Sequence, residues 1–262
     1  MQTSKISLVY FSATNTTKKV MQTIVKQFAG DVTVYDITQN ALENEIIHRN
    51  DHLLIVGIPV YAGRIPGIAM KSLEKFKGNN MPAVIVCVYG NRDFDDALLE
   101  LKDTVESNGF KVISAAAFIA QHAIFPKVGL HRPDEKDRTE IEKFGSESAT
   151  LLESINDINT LQELIVKGNR PYKTPGKIPL KPKGGKKCIA CGTCVKLCPA
   201  QAISADKPRK TKAICIACGR CIVVCPQNAR NFGGLLYKFA GGQFTKANAE
   251  RKEPMTIYAS SN

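Results

Sequence analysis

Cys188-Ile-Ala-Cys191-Gly192-Thr-Cys194-Val-Lys-Leu-Cys198-Pro199 and Cys215-Ile-Ala-Cys218-Gly219-Arg-Cys221-Ile-Val-Val-Cys225-Pro226 are two copies of one pattern. Eight of the twelve positions are identical, so this is an internal repeat, and it holds eight of the nine cysteines. Three thiolates, each two residues apart, can curl around three irons of one cubane. The fourth, turned away at the proline, reaches the cubane of the other run. The spacing therefore assigns Cys188, Cys191, Cys194 and Cys225 to one [4Fe–4S] cluster and Cys215, Cys218, Cys221 and Cys198 to a second. Gly192 and Gly219 fall where the loop passes nearest the sulfides, where a side chain would crowd them. Zinc uses four ligands and would leave a cysteine over in each run. A disulfide framework belongs to small secreted chains with an even cysteine count.

This segment resembles the bacterial two-cluster ferredoxin module. Apolar neighbours Ile189, Ile216, Val223 and Val224 are expected to restrict water and help set potential.

Working outward, 262 residues allow one ordinary domain plus a small one. No apolar run of about 18 residues exists, so no membrane span is expected. Met1 to Lys5 leads straight into Ile6-Ser-Leu-Val-Tyr10, too short and early for a signal peptide. Thiolate-bound iron needs a reducing compartment, so a cytoplasmic protein is expected. The net charge of +12 is unevenly spread: residues 1–165 hold 17 Lys/Arg and 21 Asp/Glu, residues 166–262 hold 19 and 3. Such opposite halves favour mutual attraction or acidic partners.

Residues 1–166 alternate strand and helix signals. Five β-branched runs, 5–11, 32–36, 52–57, 83–89 and 111–118, are bounded by Gly, Pro, Asn or Asp. Val20, Ile24 and Phe28 mark a first helical face. Phe94, Leu98, Leu101 and Val105 mark another, with Asp93 placed to cap it. A last helix after Pro133 turns Ile141, Phe144, Leu152 and Ile155 inward. The pattern predicts a doubly wound parallel α/β sheet, with ligands beyond the carboxyl ends of its strands. Three loops leave those ends: Ser12-Ala-Thr14-Asn15-Thr16-Thr17, Pro59-Val60-Tyr61-Ala62-Gly63-Arg64, and Tyr89-Gly90-Asn91-Arg92. Hydroxyls and N–H groups opening a helix suit a phosphate.

These loops resemble the three FMN-contacting loops of flavodoxins. The resemblance implies a five-stranded sheet of order 2-1-3-4-5 with FMN at the switch point. It implies that Ser12, Thr14, Asn15, Thr16 and Thr17 cradle the phosphate. Pro59, Val60, Tyr61, Ala62, Gly63 and Arg64 would flank the isoalloxazine with Tyr89, Gly90, Asn91 and Arg92, and Tyr61 or Tyr89 would stack on it. Asn15 stands where flavodoxins carry glycine; asparagine tolerates the left-handed region better than other residues. The whole chain is similar to the EFR-type ferredoxin fusions of anaerobic bacteria and archaea, over roughly residues 1–230.

The expected organisation is a flavodoxin-like domain at 1–166, a linker at 167–187, a small α+β ferredoxin domain at 188–232 and a tail at 233–262. The linker contains four Pro, four Gly, eight Lys/Arg and no acid. It is expected to lie along the acidic domain or steer acidic partners, not nucleic acid, since only Tyr172 interleaves aromatically. Little order is expected beyond Gly241. Phe232, Leu235, Leu236, Tyr237 and Phe239 are candidates to pack back. Cys87 reads as a buried small hydrophobe; His122, beyond the fifth strand, is placed where it could approach the flavin but reads first as a plain loop histidine.

Iron–sulfur clusters pass single electrons and a flavin one or two. The leading expectation is an electron-transfer flavo-iron–sulfur protein serving redox partner proteins. One alternative is an FMN-dependent reductase of a small quinone-like or nitro acceptor, fed by the clusters. Another is a sensor that has lost FMN. No base, nucleophile or nicotinamide motif is visible, which favours a carrier over a substrate-specific oxidoreductase.

Overall fold

A computed structural model describes residues 1–260 except 2, 40, 50 and 177. Lys177 of the linker and the last two tail residues lie outside the described ones. The main sheet contains β1 (Lys5–Tyr10), β2 (Asp31–Asp36), β3 (His52–Pro59), β4 (Met81–Tyr89), β5 (Phe110–Ile119) and β6 (Met255–Tyr258). Across the sheet they run β2-β1-β3-β4-β5-β6. The first five are parallel, in the order 2-1-3-4-5 expected from the sequence, and β6 joins β5 antiparallel. The fold is flavodoxin-like.

The four inner parallel strands are apolar runs that the sheet buries. β4 is buried along its whole length, whereas edge strand β2 leaves Val32 and Val34 exposed. Helix α1 (Thr16–Val25) packs on the long α4 (Glu135–Ser154). On α4, Ile141, Phe144 and Leu152 are buried, and Asp134 with Asp137 forms a capping box. Helix α2 (Gly67–Leu73) meets α3 (Ala97–Ser107), where Asn108 donates to the carbonyl of Leu73. The expected stripe of Phe94, Leu98, Leu101 and Val105 is buried, but Asp93 does not cap α3. The chain makes an extra turn first: Asp93 accepts from the Asp95 amide, and the helix opens after Asp96.

The linker lies along this acidic corner. Lys167 pairs with Asp93, Arg170 and Tyr172 with Asp103, and Lys173 with Asp95. Asp96 accepts from the amides of Asn169 and Lys173, at 2.9 and 2.6 Å. Exposed pairs of this kind are individually weak, but a series of them, with backbone amides, fixes the path of a proline-rich segment.

The cysteine runs form a small module built around α5 (Thr193–Lys196), α6 (Arg220–Val223) and a two-residue ladder joining 183–184 to 230–231. The repeat is visible in the backbone. Ala190 and Ala217 have φ of 56° and 53°, and Gly192 and Gly219 have 77° and 76°. Both glycines occupy the left-handed region, which is the constraint that selects them.

The tail differs from expectation. After Gly234 it forms α7 (Leu235–Ala247), then crosses back to supply β6. Asn91 donates to the carbonyls of Asn248 and Glu250, and Arg251 pairs with Asp134 and Asp137, so buried polar groups order this segment. Phe232 is buried and Tyr237 partly so, but Leu235, Leu236 and Phe239 stay exposed.

A cavity beside two rings of thiols

A cavity of about 430 Å³ opens at the carboxyl ends of β1, β3, β4 and β5. That is within the size range of small-molecule and cofactor sites. Of the loop residues singled out in the sequence, it brings together Thr14, Thr16, Thr17, Pro59, Val60, Tyr61, Ala62, Gly63, Tyr89, Gly90 and Arg92. Four others are engaged elsewhere. The Ser12 hydroxyl accepts from the Lys18 amide at 2.9 Å, fixing the loop from inside. Asn15 is exposed and left-handed, with φ of 65°, the conformation its replacement of glycine requires. Arg64 forms a two-pronged pair with Glu100 and lies over the Tyr172 ring. Asn91 is buried and holds the tail.

The phosphate-loop geometry fits an anion. Helix α1 has no side-chain cap at Asn15 and no acidic residue in its first turn. The Lys18 amide is taken by the Ser12 hydroxyl and the Thr14 and Thr16 hydroxyls meet each other, so the Thr16 and Thr17 amides and the Thr17 hydroxyl are the groups left for a ligand. Tyr61 meets Phe11 edge-on and lines the cavity, while Tyr89 is almost fully buried against Phe94. Burial pushes both phenols up, Tyr89 to about 12. They remain neutral hydrogen-bonding rings at any ordinary pH.

His122, read from the sequence as a plain loop histidine, instead lines the cavity with Ile124 and Phe125 from the loop after β5, which were not singled out; the ring of Phe244 of α7 lies tilted against it, with centroids 4.9 Å apart. His122 Nδ1 accepts from the amides of Ile124 and Phe125, each at 3.1 Å, so the proton sits on Nε2. Burial, reinforced by Arg92, lowers its pKa from 6.5 to about 4. Burial also lowers that of His48, which hydrogen-bonds Ser7 at the other end of the sheet. For a base whose folded pKa lies below its unfolded one, stability is full above the unfolded value and is lost as pH falls toward the folded one. The melting temperature is therefore expected to fall between pH 6.5 and pH 4, where His122 contributes at most about 3 kcal/mol. Thermal melts across that range should show a flatter profile for His122→Gln.

Two further voids lie in the small module. One is lined by Cys188, Cys191, Cys194 and Cys225. The other is lined by Cys198, Cys215, Cys218 and Cys221. The fourth cysteine of each run lines the other run's void. All eight are free thiols. Cys198, Cys215 and Cys225 accept hydrogen bonds from the backbone amides of Ala202, Ala217 and Ala229 at 3.2–3.4 Å. Burial pushes the Cys218 thiol up to about 12, so ionising it needs a nearby cation such as a metal centre. Cys87 is fully buried in β4 and its thiol is likewise driven up, an inert core residue.

The two voids are not equivalent. Cys218 packs in the main core, and Ile216 and Ala217, between Cys215 and Cys218, also line the large cavity. Arg220, the next side chain along, donates to the carbonyls of Ser12 and Ala13, the latter at 3.2 Å. Cys191, in the other set, is exposed, as is its neighbour Ile189. Ile189 and Val223 are too exposed to act as the water barrier expected of them, whereas Ile216 is partly buried against the core.

The architecture joins a flavodoxin-like α/β module to an iron–sulfur module. Residues 186–230 match the 4Fe-4S dicluster domain family. A comparison with curated proteins finds no match. Among solved structures, the chain is similar to a flavodoxin from the domain Archaea, at 17% identity over 57% of this chain and 99% of that one, TM-score 0.39. Oxidised flavodoxin 1 from Bacillus cereus is 15% identical over 58% and 100%, TM-score 0.43. Fusobacterium nucleatum flavodoxin bound to flavin mononucleotide is 18% identical over 57% and 96%, TM-score 0.38. Among the described residues no helix is long and apolar enough to cross a membrane.

Proposed function

We propose that this protein is an electron carrier holding two [4Fe–4S] clusters and one FMN, linking redox partner proteins to the flavin. When bound, the cubanes supply one-electron and the flavin one- or two-electron chemistry. Cys188, Cys191, Cys194 and Cys225 would hold the outer cluster, and Cys198, Cys215, Cys218 and Cys221 the inner. Thr14, Thr16, Thr17 and the α1 amides would hold the FMN phosphate. Tyr61 and the segments 59–63, 89–92 and 122–125 would bound the ring. The observation that carries this reading is the shared wall: Ile216 and Ala217 belong both to the second cysteine run and to the large cavity. The exposed outer set, in the strongly basic half of the chain, suits docking of acidic partners.

The test is the content of protein purified or reconstituted without oxygen. About eight irons and one FMN per chain support the reading; zinc in place of iron, or a chain that takes up no flavin, overturns it.

Arg220 is the position at which the second run departs from the Thr193 of the first. Arg220→Thr is expected to leave iron content unchanged, to speed proteolysis within the linker, and to slow flavin reduction about tenfold. That corresponds to the roughly 1.5 kcal/mol of a charged hydrogen bond. Stopped-flow absorbance and a protease time course check both.

A further inference from the structure

Arg230 is the largest fully buried side chain of the molecule, 1% exposed. Its guanidinium nitrogens bond to the carbonyls of Pro208 and Pro182 and to the Thr211 hydroxyl, at 2.5, 2.9 and 2.5 Å. None of these acceptors is charged, and among the described residues no carboxylate pairs with it. Its Nε–H is buried without a partner. An isolated buried charge costs several kcal/mol unless it is compensated, so the site lacks an anion.

The position of the side chain says which anion. Arg230 lines the void ringed by Cys188, Cys191, Cys194 and Cys225. Its charge also reaches the other ring. Two of its acceptors, Pro182 and Thr211, line the void of the second set. Resting on the cluster reading above, we propose that Arg230 is the counter-charge shared by both clusters, with its free Nε–H donating to a sulfur of the outer one. A fixed cation and a hydrogen bond to sulfur both favour the more negative, reduced state. Arg230 thus raises both potentials together and lessens the cost of placing two anionic centres in one small module. The ladder pairing 184 with 230 holds the backbone that aims it, making it a positioning residue, not a catalytic one.

Potentiometric titration of iron-loaded protein, followed by electron paramagnetic resonance, tests this with Arg230→Met and Arg230→Lys. Arg230→Met is expected to make reduction of both clusters at least tenfold less favourable, about 59 mV for a one-electron couple. Arg230→Lys should restore most of that. Because Arg230→Met also strips bonds to two carbonyls and a hydroxyl and could fail to load iron, a second measurement uses the native chain. Labelled with ¹⁵N-arginine and reduced, it should show hyperfine coupling of one arginine nitrogen to the outer cluster. Loaded Arg230→Met with both potentials unchanged, or native protein without nitrogen coupling, overturns the proposal. Native protein that binds no iron would instead defeat the cluster reading itself.

Discussion

Replacing Cys218 by alanine is expected to halve the iron content, to leave FMN binding intact, and to slow flavin reduction by a partner protein at least a hundredfold. The reason is positional. Cys218 lines the void of the proposed inner cluster and also packs in the main core, next to the two residues that close the cavity wall. Losing its thiolate removes the inner cluster, and the remaining redox centre is then the outer one. The substitution itself should be mild for the fold, since a buried cysteine behaves as a small hydrophobe. Cys191→Ala, which removes a thiol of the exposed set, should also halve the iron. It should still allow a small diffusible reductant to bleach the flavin through the inner set. Iron analysis with stopped-flow reduction of both variants checks this asymmetry; equal loss in the two would mean that the sets are interchangeable.

Thr16→Asp is expected to lower FMN affinity by a hundredfold or more while leaving the apo-protein as stable as the parent. Thr16 is the first residue of α1 and lines the cavity, and the helix carries neither a cap nor a first-turn acid. A carboxylate there satisfies the orphan amides and suits the helix dipole, worth roughly 0.3–1 kcal/mol. The same carboxylate occupies the phosphate's position with like charge, at a cost of several kcal/mol when partly desolvated. Stability and affinity should therefore move independently, which loss of fold could not produce. Flavin titration by fluorescence quenching beside a thermal melt of the apo-protein distinguishes the two. An unchanged dissociation constant would remove the phosphate from this loop.

Both expectations draw on features that were readable before the structure. The five parallel strands announce themselves because buried β-branched runs between breakers have few other uses. The cysteine repeat is visible in the backbone too, where Gly192 and Gly219 share one left-handed conformation. What escaped has a common physical origin: it depends on contacts between segments far apart in sequence. β6 is four residues long behind a charged stretch, and becomes a strand because the open edge of β5 supplies its hydrogen bonds. His122 looks like a loop residue until Phe125 and Phe244 enclose it. Arg64 and Asn91 lie in the expected loops, but Glu100 and the returning tail claim them first. Arg230, four residues after Pro226, carries no local signal of burial. The departure of Arg220 from Thr193 within the repeat was the one mark of an inter-module contact that could have been read in advance.

The most direct measurement mixes oxygen-free, fully loaded protein with a stoichiometric one-electron reductant and follows iron–sulfur and flavin absorbance together. Flavin bleaching that tracks reoxidation of the clusters, at a rate independent of protein concentration, is the expected result. Flavin reduction that rises in rate with protein concentration would contradict an intramolecular link, as would clusters that stay reduced beside an oxidised flavin.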